Sequence, residues 1–234
     1  MAIVYLIRHA QASFGAENYD QLSDLGQLQS ARLGQVLSRR MPLFDTVCLG
    51  TMQRHKQTAN NCLAAFDTSL DQIDAVYDDA WNEYDHQDIL AKYRPEFATH
   101  KSMQDFLRQH EHPKKVFERE FNNAIDRWIE SGHSDSYAES WVSFTARVNA
   151  ALEQVLADTP HSKNIAVFTS GGPISLVAQS LLGVPSERIM TMNWTLLNCG
   201  ITKVVSTNSR VFVASLNDHS HFEGKDYKHF FTYT

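Results

Sequence analysis

The sequence predicts an α/β protein, a three-layer α/β/α sandwich around a mostly parallel central sheet, with a helical insertion at about residues 85–133. Three observations carry that expectation. Continuously apolar runs at residues 2–7 and 165–168, with the short stretch Asp45 to Gly50, read as buried parallel strands. They alternate with stretches of helical apolar spacing, giving the order βαβα, the insertion, then αβαββ. From residue 85 the chain becomes dense in His, Gln, Lys and Arg and has no glycine until Gly132, which marks the insertion.

The first strand, residues 2–7, runs straight into Arg8 and His9. Residues 12–21, with Gly15, Asn18 and Asp20, read as a loop. Ser23 is the expected N-cap of a helix reaching about Arg39, with Leu25, Leu28, Leu33, Val36 and Leu37 on its inner half and Pro42 closing it. The second strand, 45–50, leads into a helix opening at 51–59, with Ala59, Cys62, Leu63 and Phe66 inward. A short third strand at 75–77 precedes Trp81-Asn82-Glu83.

Within the insertion, Phe117, Phe121, Ile125, Trp128 and Ile129 recur at helical spacing, as packing residues do. Ser136-Tyr137-Ala138-Glu139 has the form of a capping box. Phe144, Val148, Leu152, Val155 and Leu156 then mark an amphipathic helix. The strand at 165–168 breaks at Thr169-Ser170-Gly171-Gly172-Pro173, where proline suits a first helical turn. Ile174, Val177, Ala178, Leu181 and Leu182 face inward on that helix and Gly183 ends it. Strands at 201–206 and 211–216, joined by a turn at 207–209, complete the order.

At 234 residues the chain fits one domain, 1–234, with the insertion included. Its 43% hydrophobic and 21% charged residues are those of an ordinary globular chain, and a net charge of −6 argues against nucleic acid or an anionic membrane as partner. Three scattered cysteines fit reduced thiols in the cytoplasm rather than a disulfide framework or zinc site. The apolar start is too short for a signal peptide, and no run approaches the length of a membrane span. Oligomeric state stays open, a homodimer included.

Four strand ends carry the candidate chemistry. Arg8 and His9 end the first, Arg54 follows the second on a helix's first turn, Glu83 follows the third, and Ser170-Gly171-Gly172 opens a helix after the fourth. Ligands of open α/β sheets gather at carboxyl strand ends. Two guanidiniums and a helix N-terminus suit a phosphate. A neutral imidazole can attack phosphorus, and a carboxylate can protonate a leaving oxygen and then activate water.

These stretches resemble the histidine phosphatase superfamily, the phosphoglycerate mutase-like fold. Leu6-Ile7-Arg8-His9-Ala10-Gln11 is similar to L-x-R-H-G-[EQ], and Asp20 to Gln29 follows D-x-x-L-[ST]-x-x-G-x-x-Q. Residues 50–59 resemble S-P-L-x-R-A-x-Q-T-A, Trp81-Asn82-Glu83 resembles L-x-E, and residues 216–221 resemble the closing N-D-x-x-H segment. The resemblance implies that His9 is transiently phosphorylated, that Arg8 and Arg54 bind phosphate, and that Glu83 is the general acid and base. It implies no metal and no cofactor, and a small phosphorylated substrate or inorganic phosphate as ligand.

Three positions depart from the pattern. Ala10 replaces glycine, and Gly15 stands where mutase-like members carry asparagine, which favours a phosphatase over a mutase. Ser170 stands in place of the second active-site histidine of S-H-G-G. Its hydroxyl still suits phosphate contact or helix capping, and Gly171 a close backbone approach to an anion. His55, His86, His219 and His221 are candidates to substitute spatially, and Ser170→His alone is expected to raise activity. His110-Glu111-His112 and His219-x-His221 read as loop histidines in solvent rather than metal ligands. Lys114, Lys115 and Arg119 are the cations available for a distal charge. The leading expectation is a metal-independent phosphomonoesterase acting on a small phosphorylated metabolite or phosphoprotein. A phosphate-binding module without turnover and a phosphoglycerate-type mutase are the alternatives.

Overall fold

The computed structural model describes residues 1–13, 20–131, 136–158, 161 and 163–233. Gly15, with most of the loop expected at 12–21, and residues 132–133 at the end of the insertion lie outside the described residues. The elements in chain order are β1 (Ala2–Arg8), α1 (Asp24–Arg40), β2 (Thr46–Leu49), α2 (Gln53–Leu63), β3 (Val76–Tyr77), α3 (His86–Tyr93), α4 (His100–Leu107), α5 (Pro113–Ser131), α6 (Trp141–Asp158), β4 (Asn164–Thr169), α7 (Gly171–Leu182), α8 (Ile189–Asn193), β5 (Ile201–Ser206) and β6 (Val211–Asp218). The chain divides into two compact units, Met1–Glu83 with Val148–Thr234, and Tyr84–Arg147.

In the first unit the six strands form one mixed sheet in the order β3-β2-β4-β1-β5-β6. The pairs from β3 to β1 are parallel, whereas β5 and β6 are added antiparallel. Alternation along the strands divides the core between the two faces. Tyr5, Ile7, Val47, Leu49, Ala166 and Phe168 cluster with Leu33 and Leu37 of α1 and Ala59, Cys62 and Leu63 of α2. The intervening Val4, Leu6, Cys48, Ile165 and Val167 are buried on the other face. The first two turns of α7 are buried throughout, although Leu182, expected to face inward, is exposed beside the left-handed Gly183 cap.

Leu28, also expected to face inward, is 58% exposed. The buried face of α1 runs instead through Gly26, Gln29, Ser30, Leu33, Gly34 and Leu37. Small residues win that face because α2 comes very close: a Cβ on Gly34 would lie 2.2 Å from the Cys62 carbonyl oxygen. Phe66 sits past the end of α2, in a 3-10 turn at Ala64–Phe66, and still reaches the same core.

The second unit holds α3, α4, α5 and the start of α6, so the helical insertion runs to Arg147. Trp128 is its centre, with Tyr84, Trp141 and Phe144 rings at 5.2–5.6 Å. Buried Glu120 accepts from Tyr93, Arg94 and Arg119. Burial alone would raise its pKa, but those hydrogen bonds and charges outweigh it and hold the carboxyl below its usual range. The capping box expected at 136–139 is displaced. Ser140 precedes α6 and its Oγ accepts from the Ser143 amide at 3.1 Å. Glu139 instead pairs with Arg147, and its carbonyl accepts from Trp128 Nε1 at 2.8 Å.

The described residues contain no helix long and apolar enough to cross a membrane, and Cys48, Cys62 and Cys199 are buried and unbridged. His221, expected in solvent, is 2% exposed and packs against the Phe222 ring at 4.2 Å. Burial, helped by the charges of Arg40 and Arg32, outweighs the attraction of Asp218 and brings its pKa down to about 4. The unfolded chain, with its histidine near 6.5, takes up a proton that the folded chain refuses. His221 therefore contributes stability above pH 6.5 that is lost as pH falls toward 4, on the order of 3 kcal/mol over the window. Urea denaturation at pH 7, 5.5 and 4 should show this loss, and His221→Gln should flatten it. An identical pH dependence in the variant would rule His221 out as a source.

Candidate active site

The parallel pairing of β1 with β4 sets Arg8 opposite Thr169, and the His9 amide donates to the Thr169 carbonyl at 2.8 Å. His9 and Ser170 therefore leave adjacent strands side by side. His9 is 4% exposed, and its Nδ1 lies 2.8 Å from the Ala10 carbonyl oxygen. A carbonyl oxygen only accepts, so Nδ1 carries the proton and Nε2 keeps the lone pair. Burial, with the charges of Arg54, Arg8 and His55 behind it, holds the ring's pKa well below the usual 6.5. The imidazole is a neutral base held among cations.

The backbone around it is held from several sides. The Ala10 amide donates to Thr58 Oγ1 at 3.0 Å, and the His9 carbonyl accepts from Asn198 Nδ2 at 3.0 Å. Arg8 donates to the carbonyls of Leu196 and Tyr233, and its own carbonyl accepts from the Cys199 amide. Cys199 has φ +60°, a left-handed conformation that costs a non-glycine residue about 1–2 kcal/mol. It is placed there by the fit of residues 196–200 around the end of β1.

Arg54 enters from the first turn of α2, 6% exposed, with Nη1 on Asp20 Oδ1 at 2.7 Å. Asp20 Oδ2 accepts from the Gln53 amide at 2.7 Å, so one carboxylate both fixes the guanidinium and satisfies the helix's first amide. The residues around Asp20 and Arg54 have matching uses. Gln57 Oε1 accepts from the Leu22 amide and Gln29 Oε1 from the Gln11 amide, each at 2.8 Å. Ser23 caps α1 by accepting from the Gly26 amide, and Gly26 lets the helix rest on Gln11, whose carbonyl oxygen would lie 2.2 Å from a Cβ there.

Glu83 is carried to the site by two ties. Thr169 Oγ1 donates to the Trp81 carbonyl at 2.6 Å, and Asn82 Nδ2 donates to Thr51 Oγ1 at 2.7 Å. Its Oε2 accepts from the Gly172 amide at 3.1 Å, in the first turn of α7, where the positive end of the helix favours an anion. Gly171 and Gly172 have ordinary negative φ, so turn geometry does not require them. Space does at Gly171, where a Cβ would lie 2.4 Å from Asn193 Oδ1 and 3.5 Å from Arg8 Nε.

Ser170 is fully buried and its hydroxyl does not cap α7. Its Oγ lies 2.7 Å from His55 Nε2. His55 is also fully buried, with its ring centroid 5.8 Å from that of His9. Burial and the Arg54 charge hold the His55 pKa well below its usual value. Of the four histidines named as substitutes, His55 is thus the one bonded to Ser170.

His9, Arg8, Arg54, Glu83, Ser170 and Gly171 come from the ends of β1, β2, β3 and β4, as the spacing implied. The side chains that sequence reasoning did not single out are Thr58, Asn198 and the Asp20 partner of Arg54. Thr58 and Asp20 were legible as motif positions, whereas Asn198 carries no motif. Elsewhere, Lys114 and Lys115 are exposed and Arg119 is paired with Glu120 at 2.8 Å.

The sequence matches the family described as the histidine phosphatase superfamily (branch 1) over residues 4–120 and 104–219. No curated protein sequence matches the chain. Among solved structures it is similar to a phosphoglycerate mutase from Bacillus anthracis str. Sterne, at TM-score 0.65 and 18% identity, covering 94% of each chain. It is similar to a mutant phosphoserine phosphatase from Entamoeba histolytica in complex with phosphoserine, at TM-score 0.63 and 16% identity, covering 95% of this chain and 100% of that one. It is also similar to a mycobacterial glucosyl-3-phosphoglycerate phosphatase with inorganic phosphate, at TM-score 0.63 and 18% identity, covering 95% and 100%.

The electrostatics of the site give a direct test. Because burial and the two guanidiniums depress the His9 pKa, its ring should remain neutral and protonated at Nδ1 at pH 6. Nitrogen-15 spectra of the histidine rings, with His9→Ala for assignment, would read this. A midpoint near 6.5 for His9 would contradict the geometry described.

Proposed function

The chain belongs to the histidine phosphatase superfamily, and from that premise we propose that it hydrolyses phosphomonoesters through a phosphohistidine on His9. The observation that carries the reading is the His9 ring. Its proton is fixed on Nδ1 by the Ala10 carbonyl, so Nε2 presents its lone pair while two arginines supply positive charge beside it.

In the first step Nε2 attacks phosphorus, the bond from phosphorus to the ester oxygen breaks, and the leaving oxygen takes a proton from Glu83. In the second, water gives its proton to Glu83 and attacks phosphorus, the N–P bond breaks, and inorganic phosphate leaves. Arg8, Arg54 and the positive end of α7 offset the charge that spreads over the phosphoryl oxygens. The guanidiniums take the part that a metal plays in other phosphatases, so neither metal nor cofactor enters the scheme. The substrate is a small phosphorylated metabolite or a phosphoprotein. The buried, unbridged cysteines suit a reducing compartment such as the cytoplasm.

Incubation with p-nitrophenyl phosphate in EDTA should release phosphate, and His9→Ala should abolish the release. Equal turnover by the two proteins would sink the mechanism. Tight phosphate binding without hydrolysis of any phosphomonoester would leave a binding module in its place. Glu83→Gln should lower the rate about 10²–10⁴-fold, least for substrates with good leaving groups. A small, uniform loss across leaving groups would assign the acid elsewhere.

A further inference from the structure

We propose that His55 and Ser170 work as one phosphate-contacting unit, in which the Ser170 hydroxyl touches the phosphoryl group and the His55 ring, behind it, polarises and aims that hydroxyl. The inference rests on the phosphatase reading of the same site. It names a positioning residue, His55, that the reaction scheme does not otherwise use.

Four observations converge on the pair. The Nε2 to Oγ distance is 2.7 Å with both residues fully buried, so water does not compete for the contact. Ser170 leaves β4 beside the residue that leaves β1 as His9, and the His9 and His55 rings lie 5.8 Å apart. The Ser170 hydroxyl makes no cap to α7 and is turned to the His55 ring instead. Finally, His55 is held in place from behind, because Gly50 leaves room for its Nδ1 edge: a Cβ at Gly50 would lie 2.3 Å from Nδ1.

A ring with its proton on Nε2 donates to Ser170 Oγ. The hydroxyl proton then points away from the ring, toward an oxygen of bound phosphate. The dipole of the neutral imidazole thereby reaches the phosphate through a single oxygen atom. Chained hydrogen bonds of this kind polarise one another. A serine acting alone would offer only a neutral donor.

The arrangement also changes what substitution at 170 should do. The expectation that Ser170→His alone raises activity assumed an open place beside residue 170. The His55 ring occupies that place, so a second imidazole would crowd it. Moving the imidazole from 55 to 170 in the double variant removes the conflict.

The test compares wild type, His55→Ala, Ser170→His, and the double variant on p-nitrophenyl phosphate, with thermal unfolding as the check on folding. His55→Ala should lose about 10- to 100-fold in kcat/KM, the scale of a charge-assisted hydrogen bond. Ser170→His should not exceed wild type. The double variant should recover to within about threefold of wild type, which a purely structural role for His55 would not produce. His55→Gln keeps bulk and a hydrogen bond to Oγ. It should unfold within a few degrees of wild type and still lose activity, which covers the case in which His55→Ala fails to fold. Wild-type kinetics in a folded His55→Ala or His55→Gln, or a folded double variant no better than His55→Ala, would overturn the inference while leaving the phosphatase reading intact. Absence of hydrolysis by wild type would instead overturn that reading.

Discussion

The parallel hydrogen bonding of β1 to β4, in the register that sets Arg8 opposite Thr169, is the constraint on which the site depends. It fixes the backbone of His9 against that of Thr169 and so fixes where Ser170 starts α7. β2 pairs with β4 on its other side and delivers α2, with Arg54 and His55, to the same end of the sheet. A slip of one residue between β1 and β4 would turn Leu6 and Ile7 to opposite faces and take His9 away from Thr169 and Ser170 together. The apolar alternation that builds the core is therefore also what aligns the polar residues beyond it.

Around that alignment the energetics of His9 are set first by burial and then by the cations beside it. Placing Arg8 and Arg54 against a buried imidazole is unfavourable for a protonated ring and harmless for a neutral one, so the site selects the neutral form of His9. The guanidiniums themselves are compensated locally, Arg54 by the Asp20 carboxylate and Arg8 by the Leu196 and Tyr233 carbonyls. Buried charge without such partners would cost several kcal/mol. Glu83 is tied to the start of α7 by the Gly172 amide, which donates to its Oε2.

Much of this was legible in the sequence. Short apolar runs identified β1, β2 and β4, the polar residues following them named His9, Arg8, Arg54 and Ser170, and Glu83 was named after the short third strand. What failed did so where tertiary contact overrode periodicity. Leu28 lies outside the core because the approach of α2 demands Gly34 on the buried face. Ser140 caps α6 because Glu139 is taken by Arg147 and Trp128. His221 is inside because Phe222 brings it there, which no local pattern records. His55 was one of four equal candidates in the sequence, since a distance across 115 positions is visible only once β2 and β4 lie together.

The backing of His9 has a consequence for how the molecule is made. Arg8 and His9 stand near the start of the chain, but the groups that hold their carbonyls and the Arg8 guanidinium lie at 196–199 and 233. Gln29, which steadies the Gln11 amide, is tied in turn to Phe230 and Thr232. On the ribosome, the strand that leads into His9 is made well before the residues that fasten it. The nascent chain can bury much of its apolar surface while Arg8 and His9 are still unsupported. The geometry around His9 is then completed only after residues 196–233 have been made, later than the strands β1, β2 and β4 that build the core.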